Sequence, residues 1–305
     1  MSNLMSDVEA PCAVEFGCDA IQMVLKPSKK DLGGFTATRL LPVKECRSVG
    51  PWVFFDHMGP ASFAPGHGVD VRPHPHIGLA TVTYLFDGEM LHRDSLGTAQ
   101  VIRPGEVNLM IAGRGVVHSE RQREAVKAKP HSVHGLQLWL ALPEEHEQTD
   151  PAFHHYDRQE IPEIVHSDVS VRILIGTAYG VTSPVKTLSE TLYIEATLKD
   201  GQSFDIPSAS ERAIYVVEGA IDIGERHLQA QEMVVLDSAP GVIVKARENC
   251  RIAIIGGDSL GPRYIEWNFV ASNRQLIHQA KADWASGLFE TIPDDHEEFI
   301  PLPSK

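Results

Sequence analysis

Between Thr36 and Gly257 the chain is a succession of short β-branched and aromatic runs, and helical periodicity is hard to find before the C-terminus. TATRLLPV (36–43), ATVTYLFDG (80–88), EVNLMIAG (106–113), HGLQLWLALP (134–143), SVRILIG (170–176), TLYIEATL (191–198), RAIYVVEGAIDIG (212–224), EMVVLD (232–237), GVIVKA (241–246) and RIAIIGG (251–257) read as strands bounded by turn residues. With 24 glycines and 20 prolines as punctuation, the fold class is mostly β. Sandwiches or barrels fit this spacing better than a parallel sheet with crossover helices.

A weak internal repeat sharpens the expectation. ATVTYLFDGEM and RAIYVVEGAID each close a strand in an acidic-Gly turn, at Asp87-Gly88 and Glu218-Gly219, and each continues through a second strand, a turn and a third strand, RPGEVNLM (103–110) and QAQEMVVL (229–236). Two tandem small barrels account for that order, with domains expected at 1–145 and 146–305 and a polar linker across 143–164. One helix is expected in SNRQLIHQAKADWASGLF (272–289). Leu276, Ile277, Ala280 and Trp284 form its apolar stripe, Ser272 or Asn273 its cap and Gly287 its end. It is an ordinary packing face laid on the outside of a barrel.

The net charge of −14 argues against a protein that binds nucleic acid by neutralising phosphates. LKPSKK (25–30), the densest basic spot, reads as a solvated loop. Cys12, Cys18, Cys46 and Cys250 have no CxxC spacing, which fits free thiols in a reducing cytoplasm. No apolar run approaches the roughly 20 residues that span a bilayer, and the N-terminus lacks the marks of a signal peptide. A soluble, cytoplasmic protein is expected, with no membrane and no direct nucleic-acid partner.

Chemistry concentrates in two short motifs. In RPHPHIG, His74 and His76 are two apart, so on extended backbone both side chains leave one face while Pro75 stiffens the chain between them. In AGRGVVHSER, His118 and Glu120 repeat the spacing after a glycine-rich turn. If the two pairs project from neighbouring strands into one barrel mouth, they offer three imidazoles and a carboxylate to a common point. That set suits a divalent transition metal, and the carboxylate biases it toward Fe(II) or Mn(II). The bland alternative is a pair of surface histidines beside prolines. His57 and His67 are further histidines outside these motifs, His131 and His134, three apart on no single strand face, read as structural, His92 as a polar strand residue or a partner behind a ligand, and His154, His155 and His296 as solvated. There is no GxSxG elbow, no cysteine in a nucleophile setting and no phosphate loop.

Together, FFDHMGP, PHPHIGLATVTYLFDGEMLHRDSLGT, RPGEVNLMIAGRGVVHSER and the terminal WNFVASNRQLIHQAKADW resemble the pirin family of bicupin proteins. The resemblance implies two tandem cupin barrels of the jelly-roll type, the N-terminal one binding a single iron through His74, His76, His118 and Glu120, with Mn, Ni, Cu or Zn as other candidate ions. It implies a quercetin 2,3-dioxygenase activity on a chelating, flavonol-like small molecule with dioxygen, Glu120 taking the substrate's hydroxyl proton. Phe54, Phe55 and Met110 are candidates for an apolar wall. An iron-dependent regulator that binds protein partners is the alternative; a zinc isomerase or hydrolase fits the ligands less well. The family usually has Arg where this chain has Ile77, followed by Gly78-Leu79-Ala80, a change expected to alter the rim of the site. In the second barrel the repeat places Asp205, Pro207, Val244 and Ala246 at the ligand positions, so one metal is expected.

Overall fold

The computed structural model describes residues 14–16, 20–31 and 36–303. Among them strands dominate, arranged as two barrels that each pair a broad sheet with a narrow one. In the first barrel the broad sheet runs Ala152–Tyr156, Val107–Ile111, Leu79–Asp87, His131–Ala141, Trp52–Phe63, Thr36–Leu41, Ser28–Asp31. Its narrow sheet runs Asp70–His76, Val116–Arg121, Met90–Asp94, Ala99–Ile102. The second barrel repeats the scheme. Its narrow sheet, Ser203–Asp205, Ile243–Ala246, Ala220–Ile223, Arg226–Gln229, matches the first strand for strand. Its broad sheet centres on Glu211–Glu218, Cys250–Gly257 and Thr191–Leu198. The acidic-Gly turns fall at equivalent corners, with Gly88 and Gly219 at φ of 83° and 77°, a conformation that glycine adopts without steric cost.

The strand that leads into each barrel joins the other one. Ile21–Leu25 pairs with Met233–Leu236 of the second barrel, and Ala152–Tyr156 pairs with Val107–Ile111 of the first. The segment expected to be a linker, 143–164, thus contains the strand Ala152–Tyr156 in one barrel and the start of Glu163–His166 in the other. LKPSKK is likewise not a loop, because Leu25 ends one strand and Ser28–Asp31 forms another. Ser28–Asp31 lies at the sheet's edge, where lysines discourage pairing with other chains.

Period-two alternation divides each broad strand between two cores. Leu136, Leu138 and Leu140 face the second barrel and join Tyr193, Tyr215, Met233 and Ala253 in one inter-barrel cluster. Trp139 and Ala141, on the opposite face, join Phe54, Met110 and Val116. The helix spans Arg274–Ala285, within the expected range, and the Asn273 side chain accepts from Gln275 N at 2.8 Å. Its Ile277 and Ala280 are buried in a cluster with Val69 and Val71, on the outside of the first barrel. Cys46 and Cys250 are buried free thiols, both pushed up to about 11 by burial first of all, whereas Cys12 and Cys18 lie outside the described residues. Among the described residues no helix is long and apolar enough to cross a membrane.

The inter-barrel core also holds polar groups. His57 Nδ1 lies 2.7 Å from Tyr215 Oη of the opposite barrel, and its Nε2 lies 2.7 Å from His134 Nε2. Burial, then the neighbouring His134, pushes His57 down to about 3, against about 6.5 for an imidazole in the unfolded chain. Because the folded value is the lower one, the stability it contributes is complete above about pH 6.5 and lost as pH falls toward 3. The slope is about 1.4 kcal/mol per pH unit. Urea unfolding at pH 7 and pH 5 should therefore show a loss that His57→Gln reduces; equal losses in both proteins would exclude His57 as the source.

Candidate metal centre

Asp70–His76 pairs antiparallel with Val116–Arg121, setting His118 opposite His74 and Val116 opposite His76. His74, His76 and His118 thereby converge: ring centroids are 5.0, 4.4 and 4.9 Å apart for the pairs 74/76, 74/118 and 76/118, and none of the three rings is exposed. The glycine-rich turn before His118 aims that strand. Gly113 sits at φ 51°, and a Cβ there would meet the Thr149 carbonyl oxygen at 2.1 Å.

The hydrogen bonds of the outer ring nitrogens decide what the inner ones can do. His74 Nδ1 lies 2.8 Å from the Arg72 carbonyl and His76 Nδ1 3.0 Å from that of Asn268. A carbonyl only accepts, so both Nδ1 atoms carry the proton and both Nε2 atoms present lone pairs. His118 Nδ1 is 3.5 Å from His92 Nδ1, and His92 Nε2 is 2.8 Å from Asp94 Oδ2. With Asp94 accepting, the His92 proton sits on Nε2, its Nδ1 accepts from His118, and the His118 Nε2 lone pair points inward too. Asp94 is itself held by Leu96 N and Thr98 N, both at 3.0 Å from Oδ1, and His92 is stacked on Phe153 at 4.4 Å.

All three imidazoles are held neutral. Burial first, then His76, drives His74 well below its ordinary range; burial followed by His74 and His76 does so for His118, and burial brings His76 to about 3. Neutral imidazole is the form that binds a metal. His74 Nε2 is buried without a hydrogen-bond partner, while His76 Nε2 and His118 Nε2 are 3.1 Å apart. Two ligands at a right angle, each about 2.1 Å from an ion, would be about 3.0 Å apart. Facing lone pairs and an orphaned nitrogen fit a divalent cation; the buried imidazoles have no other evident use.

Glu120 is buried on the same strand, in register with His92 and Val71, with a bulge separating its pairing from that of His118. Ser119 and Arg121, the alternate positions, point outward to Asp295. Among the described residues, however, the buried donor group comprises His74, His76 and His118 without Glu120, and a second, partly exposed group joins Glu106, His155 and Asp157.

The surrounding wall differs in part from the expectation. Phe54 stacks on Trp139 at 3.9 Å and Trp139 meets His76 edge-on at 5.0 Å, so Trp139 is the apolar neighbour of the site, in one buried cluster with Phe54 and Met110. Phe55, one residue on, faces the second barrel and packs on Tyr215 at 4.7 Å. Ile77 is not on the rim. It is 3% exposed in the apolar cluster containing Trp267 and Phe269, and its carbonyl accepts from Val270 N at 3.2 Å. The following Gly78, at φ 65°, allows that approach, since a Cβ there would be 2.0 Å from the Val270 oxygen. Trp139 Nε1 and Gln137 Nε2 are buried donors without an acceptor in the protein.

His57 and His134 belong to the inter-barrel core, and His131 lies against Gln122 and the Lys129 carbonyl. His155 is half-buried: its Nδ1 lies 2.7 Å from Asn108 Oδ1, and its Nε2 lies beside Glu106 and Asp157. His154 is exposed, and His296 Nδ1 donates to the Ile292 carbonyl. In the second barrel, Val244 and Ala246 are buried in an apolar core and Asp205 pairs with His166 on the outside.

Two family models match the chain, Pirin over residues 34–140 and the Pirin C-terminal cupin domain over residues 193–290. A pirin-like protein of Caulobacter vibrioides is 45% identical over 288 residues, covering 93% of this chain and 99% of its own. Human pirin is 29% identical, covering 86% and 90%. The crystal structure of a quercetin 2,3-dioxygenase from Acinetobacter baumannii superposes with a TM-score of 0.88 at 32% identity, covering 95% of this chain and 97% of that one.

His118→Ala should remove most of the bound metal while the unfolding transition persists. Asp94→Asn should weaken metal retention about 10- to 100-fold in chelator competition, the range typical of losing a group that orients a ligand. Full metal content in His118→Ala would show that these imidazoles are not the ligands.

Proposed function

Because the chain belongs to the pirin family, we propose that it is a mononuclear iron protein of the quercetin 2,3-dioxygenase type, cleaving a flavonol-like chelating substrate with dioxygen. The observation that supports this most is the inward convergence of three neutral Nε2 atoms, each set by a hydrogen bond at the far side of its ring. His74, His76 and His118 would hold the ion, with Glu120 as the fourth ligand. An ion bound there would act as a Lewis acid that acidifies a chelating hydroxyl and would bring the electron-rich substrate and dioxygen together, the substrate supplying the electrons.

The protein's own residues do the remaining work. Glu120, buried beside the imidazoles, takes the hydroxyl proton of the substrate. Trp139, in one cluster with Phe54 and Met110, offers a flat apolar wall for an aromatic ring. The unsatisfied Trp139 N–H is a donor for a substrate oxygen; leaving such a donor unmade costs roughly 1–3 kcal/mol, so it favours a substrate carrying an acceptor at that point. The buried setting also keeps bulk water from the reacting atoms.

Protein purified anaerobically and loaded with iron should take up oxygen and release carbon monoxide when given quercetin. Glu120→Gln should slow turnover by roughly 100-fold or more, and Trp139→Phe should raise KM with a smaller effect on kcat. No oxygen uptake at full iron occupancy would sink the dioxygenase reading for this substrate.

A further inference from the structure

A polar cavity of about 180 Å³ opens between the two barrels. Tyr84 and Gly105 of the first barrel line it together with Arg172, Glu195 and Arg251 of the second, and Arg158 stands exposed in the segment that crosses between them. In a chain of net charge −14 this convergence is unusual: three guanidinium groups, Arg158, Arg172 and Arg251, face two carboxylates, Glu163 and Glu195, leaving one positive charge in excess.

Most of the counter-charge is already committed. Glu195 accepts from Tyr84 Oη and lies 3.3 Å from Arg251 Nε, while the Arg251 guanidinium rests on Phe86, 4.6 Å from the ring centroid. Arg172 is only 7% exposed. Its Nη1 donates to Tyr84 Oη at 3.2 Å and its Nη2 to the Arg158 carbonyl at 3.0 Å, but its Nε makes no hydrogen bond and the nearest carboxylate oxygen, on Glu163, is 3.9 Å away. The guanidinium charge at the cavity wall is thus only loosely countered. Gly105 keeps the cavity open, because a Cβ there would meet Arg172 Nη1 at 2.3 Å and the Arg158 stem at 3.1 Å.

We propose that this cleft binds a small oxyanion, a carboxylate or phosphate compound of a few heavy atoms, held by Arg172 at the floor and Arg158 at the mouth. The hydroxyls of Ser170 and Thr197 are in the same lining. Since the walls belong to both barrels, the anion binds only the docked pair and stabilises it. The site is separate from the imidazole cluster, and its test is independent of catalysis.

Thermal unfolding and isothermal titration of the full chain with sodium phosphate and with sodium succinate, against sodium chloride at equal ionic strength, decide the matter. Saturable one-to-one binding with a rising Tm is expected for at least one of the two, and which one responds identifies the class. Arg158→Ala, an exposed change that leaves the core intact, should weaken binding about tenfold, as losing one charge-assisted contact does. His118→Ala should bind the anion like the parent. No saturable response to either anion, unchanged affinity in Arg158→Ala, or loss of binding in His118→Ala would each overturn the proposal.

Discussion

The central strands of the broad sheets are buried on both faces, and the rest of the structure follows from that constraint. A strand with two buried faces must sort its residues between two cores with no polar side to guide it. In His131–Ala141 the even positions Leu136, Leu138 and Leu140 weld the barrels together, while Trp139 and Ala141 fill the first barrel beside the imidazoles. A one-residue slip would exchange the two sets, driving an indole into the inter-barrel core and leucines against His76. The register shared with Trp52–Phe63 and Leu79–Asp87 therefore fixes both the docking of the barrels and the wall of the site.

Within that frame the three imidazoles are positioned from behind, His74 by the nearby Arg72 carbonyl and the other two by groups more distant in sequence. The Asn268 carbonyl that orients His76 comes from the segment beyond the second barrel, 192 residues away. The same segment runs alongside Ile77, and Ile300 N donates to the Pro73 carbonyl at 2.8 Å. Backbone donors and acceptors are well suited to this role, because a main chain locked in a strand or a packed tail loses no rotamer freedom when it makes the bond. His118 is oriented instead by side chains, through His92 to Asp94, and that route is the more open to mutation.

What could be read from residue order is what depends on local geometry. Histidines two apart on extended chain share a face whatever the fold, so the shared face of His74 and His76 was legible, as were the acidic-Gly corners and the helix; that His118 rather than Glu120 lies closest to them depends on the pairing of distant strands. Which of two adjacent phenylalanines faces the site was not, since Phe54 and Phe55 are both fully buried and neither shows a polar alternation. Trp52–Phe63, the longest strand, hides behind the internal Gly59-Pro60, and its register shifts absorb the break. Ala152–Tyr156 reads as polar because His154 and His155 sit in it, yet Phe153 is what it contributes to the first barrel. Ile77 drew attention through its neighbours in sequence, but the side chain belongs to the packing of the C-terminal segment.

The exchange of leading strands carries a further consequence for where the site begins and ends. A first barrel cut at residue 145 would keep all three imidazoles and Glu120, but it would lose Ala152–Tyr156 and with it the ring stacked on His92 and the partner of Val107–Ile111. It would also lose Asn268, so His76 would be free to rotate and to change tautomer. The donor atoms would survive in composition while the hydrogen bonds that aim their lone pairs would not. The candidate metal centre is therefore a property of both barrels and the C-terminal segment together, although every residue that would touch an ion lies in the first.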